Sequence, residues 1–201
     1  MRKFVVTLLM VMFCSLPVCA GHVDSFTHDT EIKEALVLLE NAGAKEVFDN
    51  LEENTVKIAF YDLTQISYGY MNHFAVNTVD SFGNRYILIN SKFKNASPEE
   101  IACIIAHESF HKLNVATYEE EYTATKKEAY YWSILKDNSK TYKNSALLER
   151  LDNLAGLRTA STEQKNLIEE KINKSDFYKA HLASATVSTT PLPNFEMLAV
   201  R

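Results

Sequence analysis

The chain has 201 residues and a mass of 22.8 kDa, enough for one sizeable core and too little for a multidomain machine. Hydrophobic residues at 46% and charged ones at 23% exclude wholesale disorder, and 5 Gly with 4 Pro exclude collagen-like and low-complexity chains. A formal charge of −5 argues against nucleic acid or an anionic membrane surface as the main partner.

Met1-Arg2-Lys3 is a short positive start, Phe4 to Val18 is an almost unbroken apolar run, and Val18-Cys19-Ala20 brings small residues to its end. This pattern predicts a signal peptide over residues 1–20 with cleavage before Gly21, and hence an exported protein, periplasmic or secreted. The run is short for a membrane span and Pro17 interrupts it, so no stable span is expected after cleavage. Loss of Arg2 and Lys3 leaves 19 basic against 26 acidic residues, a net charge of −7. Loss of Cys14 and Cys19 leaves Cys103 alone, with no partner for an internal disulfide. Cys103 lies in an apolar run, so a buried structural thiol is expected.

Thr30 to Asn41 spaces Ile32, Ala35, Leu36 and Leu39 as one face of a helix, with Gly43 as a stop. A second helix is predicted over Lys45 to Glu53. Thr55 to Phe60 alternates as a strand, with Val56, Ile58 and Phe60 on one face. His73 to Val79 and Arg85 to Asn90 are further strands, joined as a hairpin by Ser81-Phe82-Gly83-Asn84. Helices resume at Pro98 and are expected to about Leu182, followed by a flexible tail over 183–201. The expected class is therefore α+β. A small sheet with a hairpin comes first, then a buried helix and further helices, in a single domain over 21–182 with its central part at 55–132.

Ser97-Pro98-Glu99-Glu100 is a helix start with a capping serine, proline at the first position and glutamate at the third. The run Ile101 to Ala106 that follows is apolar on every face, so this helix must be buried all round. Into it the sequence places His107-Glu108-Ser109-Phe110-His111. Buried polar groups without partners each cost about 1–3 kcal/mol, and a metal ion is the simplest compensation. Residues four apart share a helix face, so His107 and His111 can aim their imidazoles at one point. Glu108 is rotated by about 100° and lies beside that point, where a base is needed. His-Glu-x-x-His is the zincin metallopeptidase signature.

A third histidine is missing from the extended metzincin spacing, since Asn114 and Thr117 stand at the glycine and histidine positions. Thr117-Tyr118-Glu119-Glu120 reads instead as a second capping box, opening a helix through Trp132 that carries Glu119, Glu120, Glu121 and Glu128. With a tight turn at Asn114 to Ala116, the two helices run antiparallel and Glu121 falls opposite Phe110 and His111. Glu121 is thus the predicted third ligand, with Glu120 and Glu128 as the alternatives. Glu128, two turns further on, is better placed to orient a ligand histidine through its free ring nitrogen.

His107 to His111, followed by Glu121-x-x-Ala124, resembles a gluzincin, and more narrowly the small bacterial gluzincin-type metallopeptidases. Arg85 to Asn90 and then Ser97 to Glu100 are similar to the strand and active-site helix start of that group, whose strand is a sheet edge that pairs with extended peptides. The usual Ala-Asp after the ligand glutamate is here Ala124-Thr125. The resemblance implies a zincin-like fold, one zinc ion (Zn2+) per chain on His107, His111 and Glu121, and hydrolysis of a peptide or protein substrate. Glu108 would act as general base towards zinc-activated water and then return the proton to the leaving amine. Tyr118, Tyr122, Tyr130, Tyr131 and His181 are candidates for steadying the oxyanion, and His73, on the hairpin, is a strand histidine of the kind that is usually structural. The alternative is a non-catalytic exported binding module that retains the same fold.

Overall fold

A computed structural model describes residues 20–112 and 117–158. The predicted signal peptide up to Cys19, the turn residues 114–116, the helices expected after Arg158, His181 and the tail over 183–201 lie outside the described residues. Among the described residues, no helix is long and apolar enough to cross a membrane.

The architecture is α+β. Helices α1 (Ala20–Val23), α2 (Thr30–Asn41) and α3 (Lys45–Glu53) precede strand β1 (Lys57–Tyr61). A connector with 3-10 turns at Leu63–Gln65 and Tyr68–Asn72 leads to β2 (Ala75–Val79) and β3 (Arg85–Asn90). Helices α4 (Pro98–Glu108), α5 (Tyr118–Leu135) and α6 (Ala146–Arg158) complete the order. The strands lie in the order β1-β3-β2, with β1 parallel and β2 antiparallel to β3.

The predicted hairpin is present, and Asp80 organises its turn. Its Oδ1 accepts from the backbone N–H of Phe82 and Asn84, its Oδ2 from Asn84 Nδ2, and Gly83 takes φ +88°. Only a residue without Cβ adopts that conformation freely. The expected position of β3 is corrected: it is the central strand, not an edge. Ile87 and Ile89 face the main core while Tyr86 and Leu88 face a second cluster with Leu63. An apolar run buried on both faces belongs in the middle of a sheet, and the edge next to the hairpin is β2.

The main core joins α2, α3, the helix side of the sheet, α4, α5 and α6 around the fully buried Ile32, Leu36, Ile87, Ile101, Ile105 and Trp132. The capping box at the start of α4 is complete: Ser97 Oγ accepts from Glu100 N at 3.2 Å, and Glu100 Oε2 from Ser97 N at 2.9 Å. Every residue from Ile101 to Ala106 is buried, and Cys103 is a free buried thiol whose pKa burial pushes well up. The helix apolar on all sides therefore lies in the middle of the described core, and it carries His107 on its last turn.

Thr55, between α3 and β1, is exposed and takes φ +50°. A β-branched residue in the left-handed region is strained by about 1–2 kcal/mol. Thr55→Asn is expected to stabilise the protein by about 1 kcal/mol, because asparagine tolerates that region and no buried contact is lost. A urea midpoint equal to or below that of the wild type would contradict this account of the turn.

Candidate metal centre

Helix α4 ends at Glu108, so His107 is on its last turn and His111 lies just beyond. The expectation that His111 is itself helical is corrected, and the cause is visible in the caps. Phe110 N donates to His107 O and His111 N to Glu108 O, each three residues back, so the last turn is tightened. Asn77 Nδ2, from β2, donates to the carbonyls of both Glu108 and His111 at 3.0 Å. Arg85, from β3, donates to His111 O at 3.2 Å and Lys112 O at 2.6 Å. The Glu108 carbonyl is the last of α4, and those of His111 and Lys112 lie in the stretch that follows it. The hairpin thus fixes the backbone that carries His111.

Helix α5 returns antiparallel: His111 is near Glu120 and Glu121, and His107 meets Glu121 and Glu128. His107 Nε2 lies 3.2 Å from His111 Nε2, 3.7 Å from Glu121 Oε2, and His111 Nε2 lies 3.6 Å from Glu121 Oε1. These three residues form a group that can hold a metal ion, with all three ligand atoms within 4.8 Å of one another. The spacing fits: ligands about 2.0–2.1 Å from a tetrahedral ion lie about 3.4 Å apart. Two nitrogens and one carboxylate oxygen also match a zinc donor set. Glu108 is buried and stands outside the group, as its rotation on the helix requires.

The two alternatives for the third ligand have other partners. Glu128 Oε2 is 2.9 Å from His107 Nδ1, the nitrogen turned away from the cluster. Arg150, from α6, grips Glu128 through Nε to Oε1 and Nη2 to Oε2, both at 2.7 Å. Glu120 does not complete the expected box at Thr117. Thr117 Oγ1 accepts from Glu120 N, but Glu120 Oε1 accepts from Lys112 N at 3.2 Å. Its Oε2 and His111 Nδ1 are both buried without a hydrogen-bond partner among the described residues and lie 3.9 Å apart.

Burial is the largest influence on Glu108, His111, His107 and Glu128. It pushes the Glu108 carboxyl up to about 7. It pushes His111 down to about 3, helped by the neighbouring His107. For His107, burial is outweighed by the hydrogen bond and charge of Glu128, so its pKa rises. For Glu128, burial is outweighed by Arg150, which holds the carboxyl at about 2. In this state His111 is a neutral imidazole ready to ligate, and Glu128 is an ionised acceptor.

Of the oxyanion candidates, Tyr118 and Tyr122 flank Glu121 on α5 and stack on each other at 6.3 Å. Tyr130 and Tyr131 are about 14–15 Å further along that helix, and Tyr131 is buried in the core, so neither lines this site. His73, just before β2, packs edge-on against Tyr70. Thr125 is buried, and its hydroxyl has no hydrogen-bond partner among the described residues, at the position where the resembled group carries aspartate.

Sequence reasoning missed Asn77, Arg85 and Arg150. Arg150 had a signal: it interrupts the buried stripe Leu147, Leu151, Leu154 of α6, where a guanidinium needs an anionic partner. Comparison of the chain with protein-family models, curated proteins and solved structures finds no match.

Proposed function

We propose that this chain is a zinc-dependent metallopeptidase of gluzincin type with a zincin-like fold. The observation that carries the reading is the group of His107, His111 and Glu121 with buried Glu108 beside it and outside it. A purely structural metal site has no use for a fourth ionisable group in that position. His107 and His111 would hold the ion through Nε2 and Glu121 through its carboxylate. Zinc, when bound, supplies a Lewis acid that polarises a peptide carbonyl and brings the pKa of a coordinated water towards about 7. Glu108 takes the proton that the attacking water loses and delivers it to the leaving amine nitrogen. A carboxyl poised near neutrality by burial suits both halves of that task.

Edge strand β2 suits an extended peptide, because Asn77 ties it to the backbone of Glu108 and His111. The substrate is a peptide or protein, and an exported location, periplasmic or secreted, belongs to the same proposal on the pattern of the first twenty residues. The test is direct. Purified protein is expected to carry one zinc per chain and to cleave members of a mixed peptide library, with loss of cleavage on chelation and return on zinc addition. A protein without zinc sinks the reading, and zinc without cleavage of any peptide leaves the non-catalytic binding module.

A further inference from the structure

We infer that Arg150 is a positioning residue of the metal site, acting through Glu128 on the ring of His107; this rests on the reading of His107, His111 and Glu121 as ligands. The connection runs across three helices. Arg150 on α6 makes two parallel hydrogen bonds to the Glu128 carboxylate of α5, each 2.7 Å, and Glu128 Oε2 then meets His107 Nδ1 of α4 at 2.9 Å. Glu128 has a side-chain exposure of only 3%, so protein groups rather than water decide how its carboxylate is turned.

Two parallel donors fix a carboxylate in plane as well as in position, which a point charge does not. The guanidinium is itself held, lying 5.6 Å from the ring centroid of Phe74, the residue that precedes β2. A carboxylate so fixed accepts at His107 Nδ1, which therefore carries the hydrogen. The Nε2 lone pair is left facing His111 Nε2 and Glu121. This is the tautomer a metal needs, and carboxylate partners of ligand histidines are a recurrent means of securing it. Helix α6 is thus part of the metal site, although it contributes no ligand and lies outside the stretch that carries the gluzincin resemblance.

The inference is tested by zinc titration against a chromophoric chelator for wild type, Arg150→Met, Arg150→Lys, Glu128→Gln and the Arg150→Met/Glu128→Gln double variant. Losing this support is expected to weaken zinc binding about 10–100-fold in Arg150→Met. Arg150→Lys, which keeps the charge and loses the fork, should fall between wild type and Met, and it decides the matter if Arg150→Met does not fold. In the Glu128→Gln background, Arg150→Met should have little further effect, because its route is already cut. Long-range proton–nitrogen spectra of the metal-free wild type in alkaline solution should show His107 protonated at Nδ1, and Arg150→Lys should lose that uniform tautomer. Wild-type affinity in both Arg150 variants overturns the inference and leaves the metallopeptidase reading intact. So does an Arg150→Met loss of equal size with and without Glu128. Absence of zinc from the wild type removes both.

Discussion

Glu108→Gln is expected to abolish measurable peptide hydrolysis while leaving zinc bound at one per chain. Glutamine keeps the shape and burial of the side chain, and Glu108 is outside the ligand group, so the metal loses no donor. What disappears is a group able to accept a proton, and general-base catalysis is worth about 100- to 10,000-fold in rate. The wild-type carboxyl has its pKa raised from 4.5 to about 7 by burial, so the ionised base accumulates as pH rises through that region. Wild-type activity limited by this base should therefore climb on the acid limb of its pH profile.

The same shift has a sign for stability. A carboxyl whose folded pKa lies above its unfolded value costs stability as pH rises from about 4.5 to about 7, because the folded state resists ionisation. Glutamine removes that cost, so the variant should unfold at the same or higher temperature than wild type at neutral pH. An inactive, zinc-loaded and fully stable Glu108→Gln protein separates chemistry from folding. Residual hydrolysis at the wild-type rate would remove Glu108 from the role of base.

What could be read from the sequence was local. Thr30–Asn41, Lys45–Glu53 and Arg85–Asn90 follow from the spacing of apolar residues within each segment, and the Ser97 capping box from four consecutive residues. Glu121 was reachable by counting turns along two antiparallel helices, because helix geometry is rigid enough to carry a register across a corner. Contacts between distant segments were not reachable in this way. Asn77 caps carbonyls 31 and 34 residues away, and Arg150 reaches a glutamate 22 residues away. Neither has a periodic pattern that announces its partner.

The two corrections have the same origin. A hairpin reads identically whichever of its strands β1 joins, so the central place of β3 is invisible until the parallel pairing forms. Helix α4 stops at Glu108, where Asn77 of the hairpin meets the last helical carbonyl and Asn77 and Arg85 hold the carbonyl of His111 beyond it, and no residue inside the helix signals that end. At Glu120 a local rule lost to a tertiary one. The capping-box carboxylate went to Lys112 N, across the corner, in place of its own N-cap.

His111→Ala and Glu121→Gln are each expected to lower zinc affinity by more than about 100-fold, whereas Glu120→Gln should leave it nearly unchanged. The energy of a structural zinc site, about 10–16 kcal/mol over four ligands, is about 3 kcal/mol per ligand. That is more than a hundredfold in binding for each donor removed. Among the three glutamates, Glu121 alone has its oxygens within 3.7 Å of the Nε2 atoms of both histidines. Glu120 faces the opposite ring nitrogen of His111, at 3.9 Å. Zinc affinity should also fall with pH, since the raised pKa of His107 lets a proton compete for the nitrogen that ligates. The loss begins as pH drops through that raised pKa, with one proton taken up per zinc released. The fold itself should survive removal of the metal, because the core around Ile101, Ile105 and Trp132 is held by apolar contacts that include none of the three ligands. Chelation should then lower the stability of the wild type by the binding term, about 4 kcal/mol when zinc is at 1,000 times its Kd, and its melting temperature with it, with unfolding still cooperative. At that zinc concentration a His111→Ala protein weakened about 100-fold is only about tenfold above its own Kd, so chelation should cost it no more than about 1.4 kcal/mol, well under the wild-type loss. A His111→Ala that loses as much stability to chelation as the wild type, or a Glu120→Gln that loses zinc as Glu121→Gln does, would place the metal on different residues.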